Sequence, residues 1–210
     1  FRSIGASTAI FTIIERVLLQ PLDYRQPGQL VTLMHTAPGV KLKELGLSAS
    51  LYFTYREENR VFQDVSIWTG DSWTVTGQGE AEQVRGLSAS HRFLAVLGVE
   101  PALGRAFIAA DDDPSGERTV MLTDSYWRMR FGADRSAVGR RILLDGNAAT
   151  VIGVLPRSFE FLDQSISLLA SLRLDRATTR LIGFCCGGIA RLKPGVGLAQ
   201  ANADITRMLP

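Results

Sequence analysis

Apolar and polar positions along the chain change period several times, and each change marks an element. LVTLMH (30–35) is a short apolar run with the pattern of a buried strand, and it follows a turn-rich linker, LDYRQPGQL, broken at Pro27-Gly28. Gly39 to Gly46 reads as loop. Ser48 or Ser50 can cap a helix running to about Arg60, because Tyr52, Tyr55, Asn59 and Phe62 fall at i, i+3, i+7 and i+10 and share one aromatic face. VSIWTG, SWTVTG and EQVRGLSAS follow as short strands separated by glycine-containing turns. HRFLAVL (91–97) makes one or two helical turns, with Gly98 placed to close them and Pro101 beyond.

TVMLTDSYWRMRFG (119–132) holds a buried strand, a cap and a short helix. Thr123 is the expected N-cap, and Asp124 sits in the first turn, where negative charge suits the helix dipole. Leu122 and Trp127 have the spacing of a hydrophobic staple, Trp127 and Phe131 share a face, and Gly132 ends the helix. Arg128 and Arg130 extend to solvent on the flanks. RRILLDGNAATVIGVLP is the clearest hairpin: Asp145-Gly146 supplies a two-residue type I′ turn between apolar arms, and Pro156 stops the second arm. GGIARL reads as a strand and Lys193-Pro194-Gly195 as a turn. Leu198, Ala201, Ile205 and Met208 mark the buried stripe of a last helix, after which the domain is expected to continue beyond Pro210.

The opening run, IGASTAIFTIIERVLLQPL, is apolar nearly all round, with no strong breaker before Pro21. A spanning helix needs about 20 predominantly apolar residues, and Glu15 and Arg16 interrupt this one. The expectation is that residues 1–20 are the outer end of a transmembrane helix, with Glu15 and Arg16 near the membrane–water boundary. A buried amphipathic helix is the alternative. A signal peptide would bring a basic n-region and an Ala-x-Ala cleavage pattern, and neither is visible.

Charge and chemistry narrow the function. A formal net charge of +2 over 210 residues, with basic and acidic positions interspersed, offers no electrostatic footprint for nucleic acid. Cys185 and Cys186 are neighbours, about 3.8 Å apart at Cα, which strains a disulfide between them. They read as two small buried apolar residues. DDDPSGE (111–117) lacks the ligand spacing of a calcium loop and reads as a solvated acidic loop. No phosphate-cradling loop, dinucleotide fingerprint or Gly-x-Ser-x-Gly elbow occurs. GDSW (70–73) resembles the nucleophile block of GDS-type esterases, which would make Ser72 a nucleophile. No histidine follows His91 to act as its base, and a Gly-Asp-Ser-Trp turn between strands accounts for the same residues. His35 and His91 read as structural histidines. No catalytic, cofactor-binding or metal-binding set emerges, and the residues favour a non-catalytic module.

Four blocks, IGASTAIFTIIERVLLQPLDY, FLAVLGVEPALGRAF, VMLTDSYWRMRFGADRSAVGRRILLDGNAATVIGVLPRSFEF and GIARLKPGVGLAQANADI, resemble in that order the MacB-like periplasmic core domain of ABC transporter permeases. The nearest branch is the orphan permeases of acidobacteria. The resemblance implies an α+β fold of porter-like strand–helix units forming a mixed sheet with packed helices, plus a smaller inserted α/β subdomain. On that pattern 1–20 ends the first transmembrane helix, 21–110 begins the extracytoplasmic porter-like domain, 111–175 is the insertion and 176–210 returns to the porter-like part. The implied protein sits in the inner membrane with this domain in the periplasm. It would transmit ATP-driven conformational change for export or envelope work. The implied partners are a separate ABC ATPase subunit or domain, a second permease copy and a periplasmic adaptor. No docking motif carries over residue by residue, and GFCCGG has no counterpart in the family pattern. The readings from other classes are a secreted hydrolase centred on Ser72 and a stand-alone periplasmic binding module.

Overall fold

The computed structural model describes residues 11–16, 24–37, 42–77, 79–162, 165–179, 183–184 and 186–209. In chain order its elements are β1 Phe11–Arg16, β2 Leu30–Ala37, β3 Leu42–Leu45, α1 Ala49–Glu58, β4 Phe62–Thr76, β5 Glu82–Ala89, α2 Phe93–Leu97 and β6 Leu103–Gly104. There follow β7 Arg118–Leu122, α3 Asp124–Phe131, β8 Arg141–Leu144, β9 Asn147–Val154, β10 Leu168–Ser171, β11 Gly187–Leu192 and α4 Leu198–Met208. Among the described residues eleven strands form one mixed sheet in the order β1-β2-β11-β4-β5-β10-β7-β9-β6, with β3 attached to β2.

β4 is the spine. The sequence predicts two strands and a Gly-Asp-Ser-Trp turn here, but the structure runs 15 residues without a break. Gly70, Asp71 and Ser72 lie opposite Leu87, Gly86 and Arg85 of β5, and that continuous ladder overrides the local turn preference. At its far end β4 leaves the open sheet. Val75 and Thr76 pair with Leu144 and Leu143 of β8. β8 pairs with β9, β9 with β7, β7 with β10 and β10 with β5, so these strands and β4 close into a ring. Closure removes strand edges that would otherwise invite pairing with another chain. Inside the ring, Trp73, Val75, Val84, Val120, Leu122, Ile142, Leu144, Val151 and Leu168 pack with Tyr126 and Phe131 of α3.

The open half consists of β1, β2, β11 and the first part of β4. One face buries Val31, Leu33, Val65, Ile67 and Ala190 under α1 and α4. The other buries Leu30 and Ile189 with Phe93, Leu94 and Leu97 of α2 and with Phe161. Ser48 caps α1 by accepting from the Leu51 amide at 3.2 Å. Gly98 closes α2 in the left-handed conformation, φ 71°. Thr123 caps α3, accepting from the Tyr126 amide at 3.3 Å, and Gly132 ends it. Asp145 and Gly146 both have positive φ, as a type I′ hairpin requires.

Several expectations are revised. Where 1–20 was expected to be helical, Phe11–Arg16 is extended and pairs antiparallel with β2 from Phe11↔Thr36 to Arg16↔Val31. FTIIER is rich in β-branched residues, and β2 offers it a free edge. Residues 1–10 and 17–20 lie outside the described residues. The loop expected between Gly39 and Gly46 contains β3, paired to β2 through His35↔Leu45 and Ala37↔Leu42. The acidic loop is only partly solvated: Asp111 is buried, and its carboxylate takes the Arg105 guanidinium at 2.6 and 3.0 Å and the Ile108 amide at 2.7 Å. Burial alone would raise the Asp111 pKa, but Arg105 and that amide outweigh it and hold the carboxyl below its ordinary value. On α3 the buried aromatics are Tyr126 and Phe131, with Trp127 packed half-buried at the margin.

Candidate functional site

Ser72 stands mid-strand on β4, exposed, on the wall of an open polar cleft of about 600 Å³ shared with Asp71, Arg85 and Ser165. A serine nucleophile needs a base within hydrogen-bond reach. Both histidines are bound elsewhere. His35, fully buried on β2, places Nδ1 3.0 Å from Gly46 O and Nε2 2.8 Å from the Tyr55 hydroxyl. Since Gly46 O can only accept, Nδ1 carries the proton and Nε2 accepts from Tyr55. Burial lowers the His35 pKa, with the Gly46 carbonyl acting weakly against it. The imidazole thereby braces α1 to β2. Cys186 is buried in the isolated bridge Leu47↔Cys186, and Cys185 lies outside the described residues.

His91 is the centre of a second cluster. Its Nδ1 is 2.6 Å from Asp112 Oδ2, and its backbone amide donates to the same carboxylate. Nε2 lies 3.4 Å from Arg56 Nη2 of α1. Asp112 can only accept, so Nδ1 carries the hydrogen between them. The trio joins α1, the β5–α2 turn and the 109–112 turn beside a cavity of about 250 Å³ that includes Phe53, Asp175 and Arg176. The His91–Asp112 contact spans 21 positions, and no local spacing along the chain encodes it.

A third cavity, of about 370 Å³, lies over the middle of β2 and β4 and the first residues of β11. Thr32, Met34, Trp68, Phe161 and Phe184 wall it. The Trp68 indole lies over Gly187, where any Cβ would overlap it, and meets Phe161 edge-on at 5.1 Å. No group of three or more His, Cys, Asp or Glu among the described residues is placed to hold a metal ion. No helix among them is long and apolar enough to cross a membrane.

These features describe a braced scaffold with shallow clefts, and comparison with known proteins gives it a family. The model for the MacB-like periplasmic core domain matches residues 3–208, nearly the whole chain. The chain belongs to the MacB-like periplasmic core domains. The MacB-like fold is also seen in solved structures. The periplasmic region of MacB from Actinobacillus actinomycetemcomitans is 16% identical, with a TM-score of 0.64 over 86% of this chain and 82% of that one. A domain of a putative permease protein from Porphyromonas gingivalis is 18% identical, with a TM-score of 0.64 over 83% and 80%. The extracellular domain of the noncanonic ABC-type transporter YknZ from Gram-positive bacteria is 15% identical, with a TM-score of 0.55 over 78% and 82%. At such identities the structures establish the shared fold. No curated protein matches the chain. Family and fold together make this the periplasmic domain of a MacB-like ABC permease, and nothing in them supports an esterase.

Proposed function

We propose that this MacB-like domain is a non-catalytic transmitter outside the cytoplasmic membrane. A separate ABC ATPase drives it, and it carries conformational change outward for export or envelope work. The observation behind this reading is that the first and last described elements are neighbours and feed one spine. α4 packs against β1 and against α1. Asp204 of α4 accepts from the Arg60 amide at 2.7 Å, and Arg207 donates to Glu58 O at 2.8 Å. Displacement applied at this end passes from β2 to β11 to β4, and β4 runs unbroken into the ring. Close-packed elements transmit such displacement instead of absorbing it. Membrane attachment ahead of β1, the inserted subdomain at 111–175, a permease dimer and a periplasmic adaptor belong to the same proposal and draw their support from the family.

Location and chemistry are both testable. In the full-length protein, alkaline phosphatase fused at Gly77, an exposed turn residue, should be active as it is only outside the cytoplasm. An inactive, stably expressed fusion would contradict the location. The purified domain should turn over neither ATP nor p-nitrophenyl esters. Ester hydrolysis lost in Ser72→Ala would restore the hydrolase reading.

A further inference from the structure

Arg191 sits on β11 in the middle of the open half and is only 6% exposed. A buried guanidinium normally faces a carboxylate, because unpaired charge is costly to remove from water. Its cross-strand neighbour, Asp64 of β4, is occupied by Arg92 and by the Val65 amide. Arg191 donates instead to backbone carbonyls: Nε to Val96 O at 2.8 Å, and Nη1 to Arg25 O at 2.7 Å and Gln26 O at 3.4 Å. Nη2 has no hydrogen-bond partner among the described residues.

Those carbonyls belong to two segments far apart in the chain. Val96 is in the last turn of α2, where unpaired carbonyls carry partial negative charge that suits a cation. Arg25 and Gln26 belong to the strap 24–29 that leads into β2. Gln26 has φ 50°, in the left-handed region a non-glycine residue seldom occupies. Gly98 lets the strap pass close to α2: a Cβ there would meet Arg25 Cβ at 3.0 Å and Arg191 Nη2 at 3.5 Å. The strap has a second tie through Tyr24, whose hydroxyl donates to Glu160 O. None of the cavities described above is lined by Arg191.

We propose that Arg191 is a reversible latch, holding the strap 24–29 to the C-terminus of α2 and the sheet centre, so that strap and helix end open together when it releases. The balance of forces suits reversal. Closed, the guanidinium gains carbonyl bonds but meets no carboxylate among the described residues; open, it is hydrated. An arginine–carboxylate pair in the same place would resist opening, since separation would strand a second charge. A part for the latch in transport rests on the function proposed above, whereas the latch itself is a property of this domain and is tested without transport.

The test is hydrogen–deuterium exchange on the full-length protein, comparing wild type, Arg191→Met, Arg191→Lys and Val151→Ala. Val151 lies in the ring core and serves as a general destabiliser. Arg191→Met should raise exchange about tenfold in both 24–30 and 93–99, leaving β7, β9 and β10 at wild-type rates. Arg191→Lys keeps the charge but reaches fewer carbonyls, so it should raise exchange less, in the same two segments; it carries the test if Arg191→Met fails to fold. Unchanged protection of 24–30 would overturn the proposal. So would a rise in the strap without α2, or a general loss resembling that of Val151→Ala at equal loss of melting temperature.

Discussion

At the residue scale, burial and partners decide what a side chain contributes. Trp127 has the sequence spacing of a core staple, but it is half-buried, donates Nε1–H to Asp134 O at 2.8 Å and carries the Arg128 guanidinium 5.6 Å above its ring. Trp127→Ala should therefore cost about 1–2 kcal/mol. Tyr126, 2% exposed, should cost about 3–5 kcal/mol as Tyr126→Ala. Urea unfolding of both variants checks the order, and equal losses would contradict the packing described. Tyr126 ionises only at about 12, raised by burial and then by the Glu82 carboxylate. His35 makes the pH prediction. Its folded pKa is lowered below 6.5, so the unfolded chain binds the extra proton first as pH falls. The stability it contributes is complete above the unfolded value and is lost between that value and the lowered folded one. One such proton is worth about 1.4 kcal/mol per pH unit within that window. Urea midpoints at pH 7.5 and pH 5.5 should show a smaller pH dependence in His35→Gln than in wild type.

Elements are fixed where backbones or rings approach too closely for any Cβ. Two tryptophans of β4 each cover a glycine on a neighbouring strand: Trp68 over Gly187 of β11 and Trp73 over Gly86 of β5. Aromatic cover of a strand glycine restores packing that the missing side chain forfeits. The two sites differ in what a methyl would strike. At Gly187 the nearest atoms all belong to the Trp68 ring, whereas at Gly86 they include the Leu168 carbonyl of β10. Gly187→Ala and Gly86→Ala should each destabilise by about 1–3 kcal/mol or more. Adding Trp68→Leu should recover part of the first loss, while Trp73→Leu should leave the second unrelieved. A double-mutant cycle reads the difference, and equal rescue at both sites would contradict the geometry.

At the scale of the whole molecule, β4 prevents the two halves from being separate units. Its first residues are a strand of the open sheet and its last complete the ring. Equilibrium unfolding should accordingly be a single transition, with tryptophan fluorescence and far-UV circular dichroism superimposing. Two resolved transitions would show that the halves melt independently. The same continuity makes displacement at the β1–α4 end felt in the ring, which is the mechanical content of the proposed function.

The amino-acid sequence by itself determined the local signals. Ser48 and Thr123 as caps, Gly98 and Gly132 as stops, the Asp145-Gly146 hairpin and the α4 stripe are all encoded within a few residues, because capping and turn chemistry act over that range. The ordered motifs also carried the family. Tertiary structure alone decided the rest. Only pairing with β5 made one strand of the GDSW region, and only β2 gave Phe11–Arg16 a partner in place of a helix. Asp112 with His91, and Arg191 with Val96 and Arg25, are joined across 21, 95 and 166 positions. Such contacts depend on where the sheet brings distant segments, and no periodicity along the chain records that.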